Sequence, residues 1–328
     1  MLIHHQLFGS KKNMPTNINA QALRKGGSAV ALALLLVYVV WGTTYFAMGI
    51  ALQTMPPLWM NAIRFLCAGG VMLGLARWQG HALPTAAQWR NTAVVGGLMV
   101  FMAMNCIGFA QKLGIGSGLM ATVVTTMPMW LALWSRWGGE RVPLTSWIGL
   151  ALGVVGALLL ALEGNFSATW LGALLAFGAP LCWSLGSYAS RRLSLPAPAM
   201  AAAAQWLVGG VMGSVVALCF EPVSALGAVS ARSWAAWVYL LVFGTLIALN
   251  AYLWLLQNTS SALAGSYSFV NPAVALLVGV VLGGELLTGW VYAALPLIGA
   301  ALVFILYGKA IQAWWAAWRV SLFGVRVG

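Results

Sequence analysis

The chain has 328 residues, a net charge of +12, no Asp and only four Glu, at Glu140, Glu163, Glu221 and Glu285. Hydrophobic residues make up 62% of it and charged residues 6%, against about a quarter charged in soluble domains. This excludes a water-soluble globular protein, which needs a hydrated surface, and leaves an integral membrane protein.

The first 27 residues are polar and basic, with Lys11, Lys12, Arg24 and Lys25 and no cleavage-site pattern. They read as a cytoplasmic tail rather than a secretory signal, with His4 and His5 as part of that tail. A helix needs about 20 apolar residues to cross the hydrocarbon. Turn residues and charges divide the rest into ten such stretches: 29–51, 57–76, 91–111, 114–135, 144–162, 169–190, 198–220, 234–257, 261–282 and 288–308. Helices are expected because an open sheet in lipid leaves backbone groups unpaired. The dyad alternation of a membrane barrel is missing. The last segment, 309–328, carries Trp314, Trp315 and Trp318 and then Arg319. It reads as an interfacial helix on the inner leaflet, or else as a continuation of the last span.

The basic residues set the orientation. With the N-terminus inside, 13 of the 16 Lys and Arg fall in cytoplasmic segments, and only Lys112 and Arg232 fall in outer loops. Arg64 remains, inside the second span. This asymmetry predicts a multi-pass protein with both termini cytoplasmic. The same scatter, in singles and pairs at span ends, is no nucleic-acid patch. Cys67, Cys106, Cys182 and Cys219 all lie inside apolar runs without CxxC spacing. Apolar burial is expected for them, with no disulfide or metal site.

The two halves repeat. Pro128, Gly138-Gly139-Glu140, Trp147 and then Gly153 and Gly156 in the first half correspond to Pro272, Gly283-Gly284-Glu285, Trp290 and then Gly299 in the second. Asn105 matches Asn250, Ser117 matches Ser261, and Trp41-Gly42-Thr43 matches Trp183-Ser184-Leu185, at offsets of 142–145. Each copy holds five spans, an odd number, so the second enters the membrane from the opposite side. Such inverted pairs build carriers with a midplane site at the repeat interface.

On these features both halves resemble the EamA-type repeat of the drug/metabolite transporter superfamily. The shared pattern is a Pro in the fourth and ninth spans, a Gly-Gly-Glu after each, Gly-rich fifth and tenth spans, and Arg64-Phe65 in the second. The resemblance covers about residues 28 to 308, as a first repeat over 28–162 and a second over 168–308. Within the superfamily the chain looks most like bacterial exporters of aromatic and other neutral amino acids. The resemblance implies an all-α basket of ten helices around a central cavity. Spans 1, 3, 4, 6, 8 and 9 would line it, with 5 and 10 as outer supports.

Arg64 is the most informative residue. An Arg at a span centre costs roughly 2.5–3.5 kcal/mol on insertion scales, and no acidic residue lies at comparable depth. Two readings stand: it attracts a substrate carboxylate, or it bonds carbonyls of a neighbouring helix. Polar and aromatic residues near midplane are further cavity candidates: Tyr38, Trp41 and Tyr45; Asn105; Thr125; Trp183, Ser187 and Tyr188; Asn250 and Tyr252; Tyr267 and Asn271. They can donate to a carboxylate or accept from an ammonium, and Trp faces hold cations. Each can instead serve helix packing. Asn105 and Asn250 stand out as pseudo-equivalent. Pro128 and Pro272 are candidate hinges. Glu140 and Glu285, at span–turn junctions, cap the following helices or gate the two mouths. Glu163 and Glu221 read as solvated loop residues.

Together these features predict an inner-membrane exporter of small neutral metabolites, working by alternating access, with a monomer sufficient. No cofactor or metal is implied. An enzyme is disfavoured, since no nucleophile–base pair or metal-ligand cluster exists. With no acid or His at midplane, transport is expected to be facilitated rather than obligatorily proton-coupled. The alternative is a proton-coupled exporter of drugs or other metabolites such as nucleotide sugars.

Overall fold

A computed structural model describes residues 20–139, 144–161, 169–258, 267–284 and 289–323. Every regular element among the described residues is helical. In chain order they are α1 (Ala20–Ala51), α2 (Pro57–Trp78), α3 (Ala86–Gly96, Gly97–Ala103 and Met104–Lys112), α4 (Ser117–Val124 and Met127–Trp137) and α5 (Leu144–Ala161). Then follow α6 (Trp170–Ser190), α7 (Pro198–Phe220), α8 (Ala231–Tyr239, Leu240–Ile247 and Ala248–Asn258), α9 (Tyr267–Gly283), α10 (Gly289–Leu306) and α11 (Gly308–Phe323). Seven of them, α1 to α4 and α6 to α8, are long and apolar enough to cross a membrane. Shorter apolar helices lie within α5, α9 and α10. Large apolar side chains are exposed on the outside, among them Leu158, Leu218 and Val281. In water such a surface would aggregate; in a bilayer it is the solvated face.

The closest pairing is α2 with α7, and α5 with α10 forms a second extensive pair. Small residues permit the first. A Cβ on Gly69 would lie 2.8 Å from the Leu207 backbone nitrogen, and one on Gly210 would lie 2.8 Å from that of Leu66. Of the Gly-x3-Gly faces in the sequence, Gly209 meets Val100 of α3, Gly213 meets Ala62 of α2, and Gly153 meets Met129 of α4. These contacts are internal, as close-packed helices in lipid require. On the other side, Gly42 of α1 admits Val274 of α9.

Local chemistry explains the helix ends. The second Gly of each repeat's Gly-Gly-Glu motif has positive φ, +87° at Gly139 and +65° at Gly284. Only Gly adopts this conformation without a Cβ penalty, and it terminates α4 and α9. The sequence reading of Glu221 as a solvated loop residue is corrected here. Its carboxylate accepts from the backbone N–H of Leu58 (3.1 Å) and Trp59 (3.0 Å), and Trp59 Nε1 donates to its carbonyl. It therefore caps α2 from the end of α7, because Pro56 and Pro57 supply no capping side chain. Cys67 and Cys219 are exposed rather than buried. A thiol is at ease in lipid, so an apolar run does not imply a protein interior.

Pro128 lies at the start of the second segment of α4, after a break at Thr125–Thr126. There Thr125 Oγ1 donates to Thr122 O and Thr126 Oγ1 to Val123 O, each at 2.7 Å. These carbonyls also accept from the backbone N–H of Thr125 (3.2 Å) and Thr126 (3.0 Å), so the hydroxyls are second donors that reinforce the tightened turn at the break. Pro272 lies inside α9, Pro180 inside α6 and Pro296 inside α10. α11 packs on α5 and α10, and its Trp314 and Trp318 are stacked and exposed on one face. Glu140, Glu163 and Glu285 lie outside the described residues, as do Ser261 and residues 1–19 with His4 and His5.

Candidate functional site

The bundle encloses a cavity of about 200 Å³. α1 contributes Trp41, Thr44 and Tyr45; α3, Ala103, Met104 and Ile107; α4, Val124; and α6, Pro180 and Trp183. α8 adds Leu240, Gly244 and Thr245, and α9 adds Tyr267 and Asn271. Two helices outside the expected lining set also reach it: α2 with Arg64 and Phe65, and α7 with Trp206. No described residue of α5 or α10 lines it. A second hollow, of about 240 Å³, lies among Gln53, Gln111, Ser117 and Arg232. Gln111 Nε2 links the two by donating to Tyr45 O at 2.8 Å.

Two of the cavity helices change pitch at the cavity. α3 is π-helical over Gly97–Ala103 and α8 over Leu240–Ile247. These segments lie 143–144 residues apart, the offset found between the sequence repeats. A π turn bonds i to i+5, so it leaves carbonyls without their usual α-helical partner. Side chains add hydrogen bonds to carbonyls in and beside these segments. Asn105 Nδ2 donates to Phe101 O at 2.7 Å, and Asn250 Nδ2 donates to Leu246 O. Thr245 Oγ1 donates to Leu240 O at 2.9 Å. Across helices, Trp41 Nε1 donates to Gly244 O at 2.9 Å and Asn61 Nδ2 to Met104 O at 3.1 Å. The pseudo-equivalence of Asn105 and Asn250 thus coincides with one shared backbone task, and neither lines the cavity.

Arg64 is 4% exposed. Its Nη2 donates to Asn61 Oδ1 at 3.0 Å, and its guanidinium lies 4.5 Å over the Phe65 ring. Its buried Nε has no partner. No carboxylate among the described residues bonds it. A cation in a largely apolar wall, held by a neutral amide, is a strong attractor for an anionic group. Aromatic rings make up much of the wall. Trp41 packs against Tyr252 and Tyr267, with centroids 5.3 and 4.9 Å away. The amide of Asn271 faces the carbonyls of Tyr267 (3.2 Å) and Tyr38 (3.3 Å), which its nitrogen satisfies.

Of the sequence candidates, Trp41, Tyr45, Arg64, Trp183, Tyr267 and Asn271 come together around the cavity. Tyr252 and Tyr38 stand behind Trp41 and Asn271. Thr125 is spent on the break in α4. Ser187 Oγ donates to Trp183 O at 2.8 Å. Tyr188 lies under the Arg192 guanidinium at the end of α6, 4.4 Å from it. Sequence reasoning missed Asn61, Thr44, Trp206 and Thr245. The spacing of Asn61 three residues before Arg64 was the available signal, since that spacing shares a helix face.

A multi-pass helical membrane protein built around an internal aromatic cavity is the class that this architecture defines. The chain belongs to the EamA-like transporter family, whose model matches residues 28–162 and 170–307. It is 37% identical over 278 residues to the "Uncharacterized inner membrane transporter YedA" of Escherichia coli, covering 84% of this chain and 90% of that one. It is 25% identical over 290 residues to the "Probable amino-acid metabolite efflux pump" of Salmonella typhimurium, covering 85% and 95%. A crystal structure of a 23% identical protein superposes with a TM-score of 0.61, covering 87% of this chain and 99% of the other. That likeness establishes a shared fold. The protein is therefore a multi-pass membrane transporter.

Proposed function

We propose that this transporter exports small neutral metabolites, aromatic and other neutral amino acids first, by alternating access. The carrying observation is the cavity itself: one cation without a carboxylate partner, set in a wall of aromatic rings. An amino-acid zwitterion matches it, with its carboxylate toward Arg64, its side chain among Trp41, Trp183, Trp206 and Tyr267, and its ammonium on an aromatic face. The Salmonella relative's name points to the same class of cargo.

In this reading the ten apolar stretches all span the inner membrane as two inverted five-helix repeats, with both termini cytoplasmic. α11 lies on the inner leaflet through Trp314 and Trp318. The matched π segments in α3 and α8 favour such a repeat, since each breaks the regular ladder beside the cavity at the same internal position. Pro128 and Pro272 serve as paired hinges, and Glu140 and Glu285 cap the helices after α4 and α9. A monomer contains the complete pathway. Transport is facilitated, because no Asp, Glu or His lines the cavity among the described residues and so no proton carrier faces the substrate there.

The test is uptake of labelled Phe, Met and Thr into proteoliposomes with and without an imposed pH gradient. Saturable flux that ignores the gradient is the expected result. Flux that appears only with the gradient would make Glu140 or Glu285 the proton site and replace the facilitated mechanism. No flux of any of the three, with folded protein, would move the cargo to another class.

A further inference from the structure

We propose that Asn61 is the positioning residue of this site. It holds the Arg64 guanidinium open to the cavity for the carboxylate of the substrate and ties it to the π segment of α3. The proposal rests on the amino-acid reading above and deepens it.

Asn61 is 1% exposed. An amide buried so deeply is costly unless its groups are bonded, and here both ends are. Its Oδ1 accepts from Arg64 Nη2 at 3.0 Å. Its Nδ2 donates to Met104 O at 3.1 Å and to Asn105 Oδ1 at 3.0 Å. The amide orientation follows from chemistry alone: turned over, it would set its oxygen against two acceptors and its N–H against a guanidinium. Asn105 in turn donates to Phe101 O inside the π segment. A four-member chain thus runs from Arg64 through Asn61 and Asn105 to the α3 backbone.

The choice of an amide matters. An Asp at this position would have the same shape and would also accept from Arg64. It would bring a negative charge that pairs with the guanidinium and cancels its pull on a ligand. A neutral acceptor fixes the geometry and leaves the charge uncompensated. Arg64 keeps an unpartnered buried Nε and makes one hydrogen bond among the described residues. Arg64 lines the cavity, and in this proposal its unused Nη N–H groups serve the carboxylate that enters it. Because the holder of Arg64 is bonded to Met104 O and, through Asn105, to Phe101 O in the π segment, the cation is indexed to α3, and a shift of α3 would withdraw it. Asn61 acts through Arg64 and need not touch substrate.

The experiment is equilibrium binding of labelled L-phenylalanine to the full chain in nanodiscs, competed by L-phenylalaninamide, which lacks the carboxylate. The parent protein is expected to prefer phenylalanine by about tenfold or more, the scale of a charge-assisted hydrogen bond. In Asn61→Asp and Asn61→Ala, phenylalanine affinity falls by about that factor while the amide's affinity holds, so the preference collapses. Gel filtration and the melting temperature identify which variants are folded. A purely structural Asn61 would weaken both ligands equally, and that result in a folded variant overturns the proposal. So does a variant that retains the full preference. A parent protein that binds both ligands equally well overturns it while leaving the amino-acid reading intact. If the parent binds neither, both fall.

Discussion

Removing the Glu221 carboxylate tests how α2, the helix that carries Asn61 and Arg64, is anchored. The first turn of α2 has few donors to satisfy. Pro57 has none, Met60 N bonds to Pro56 O at 2.9 Å, and Leu58 and Trp59 both donate to Glu221. A single helix cap contributes about 1 kcal/mol and up to about 2. Here one group caps two amides with a full charge at the positive end of the helix, which adds up to about 1 kcal/mol. Glu221→Ala should therefore destabilise the fold by about 2–3 kcal/mol. Glu221→Gln keeps one acceptor and turns an N–H donor against the other amide, so about half of that loss is expected. Melting temperatures in detergent should rank parent above Gln and Gln above Ala. Parent-like melting in Glu221→Ala would refute the cap. Equal losses in both variants would make the effect one of charge alone.

Neighbouring glycines of α2 should respond in opposite directions. Gly69→Ala drives a Cβ against the Leu207 backbone of α7 and should destabilise by about 1–3 kcal/mol. Gly70→Ala meets nothing within 4 Å and should be neutral or stabilise by up to about 1 kcal/mol through helix propensity; both are read by melting in detergent. The pseudo-equivalent Trp41 and Trp183 should also separate. Trp41→Phe loses its bond to Gly244 O and should lower stability by about 1 kcal/mol. The Trp183 indole N–H has no protein partner among the described residues, so Trp183→Phe should spare the melting temperature and weaken substrate binding by about three- to tenfold. Arg64→Gln, if folded, should lose phenylalanine binding by tenfold or more on the scale of about 1.5–3 kcal/mol for a charged hydrogen bond; unchanged affinity would end the carboxylate assignment.

The membrane character of the chain was legible in composition, because hydrophobic runs of spanning length have few other uses. Arg64 was legible for the complementary reason: a charge in an apolar run is too costly to be accidental. Trp41, Trp183 and Tyr267 were legible as cavity candidates only as members of a larger set, since an aromatic in a span can face substrate, lipid or another helix.

What the sequence by itself determined is a helical membrane protein with an internal repeat and one buried cation. Tertiary structure decided how each polar side chain is used. Asn105 and Asn250 look like a symmetric pair of ligands on paper, yet both bond carbonyls of their own π-distorted helices. Asn61 looks like a bystander, yet it joins Arg64 to α3. Glu221 looks solvated, yet it caps a helix 162 residues away in the chain. The physical reason is that apolarity is a property of a residue, and its sum along a segment survives any arrangement of the segments. A hydrogen bond needs a partner within about 3 Å at the right angle, and which partner is there is settled only when the helices pack.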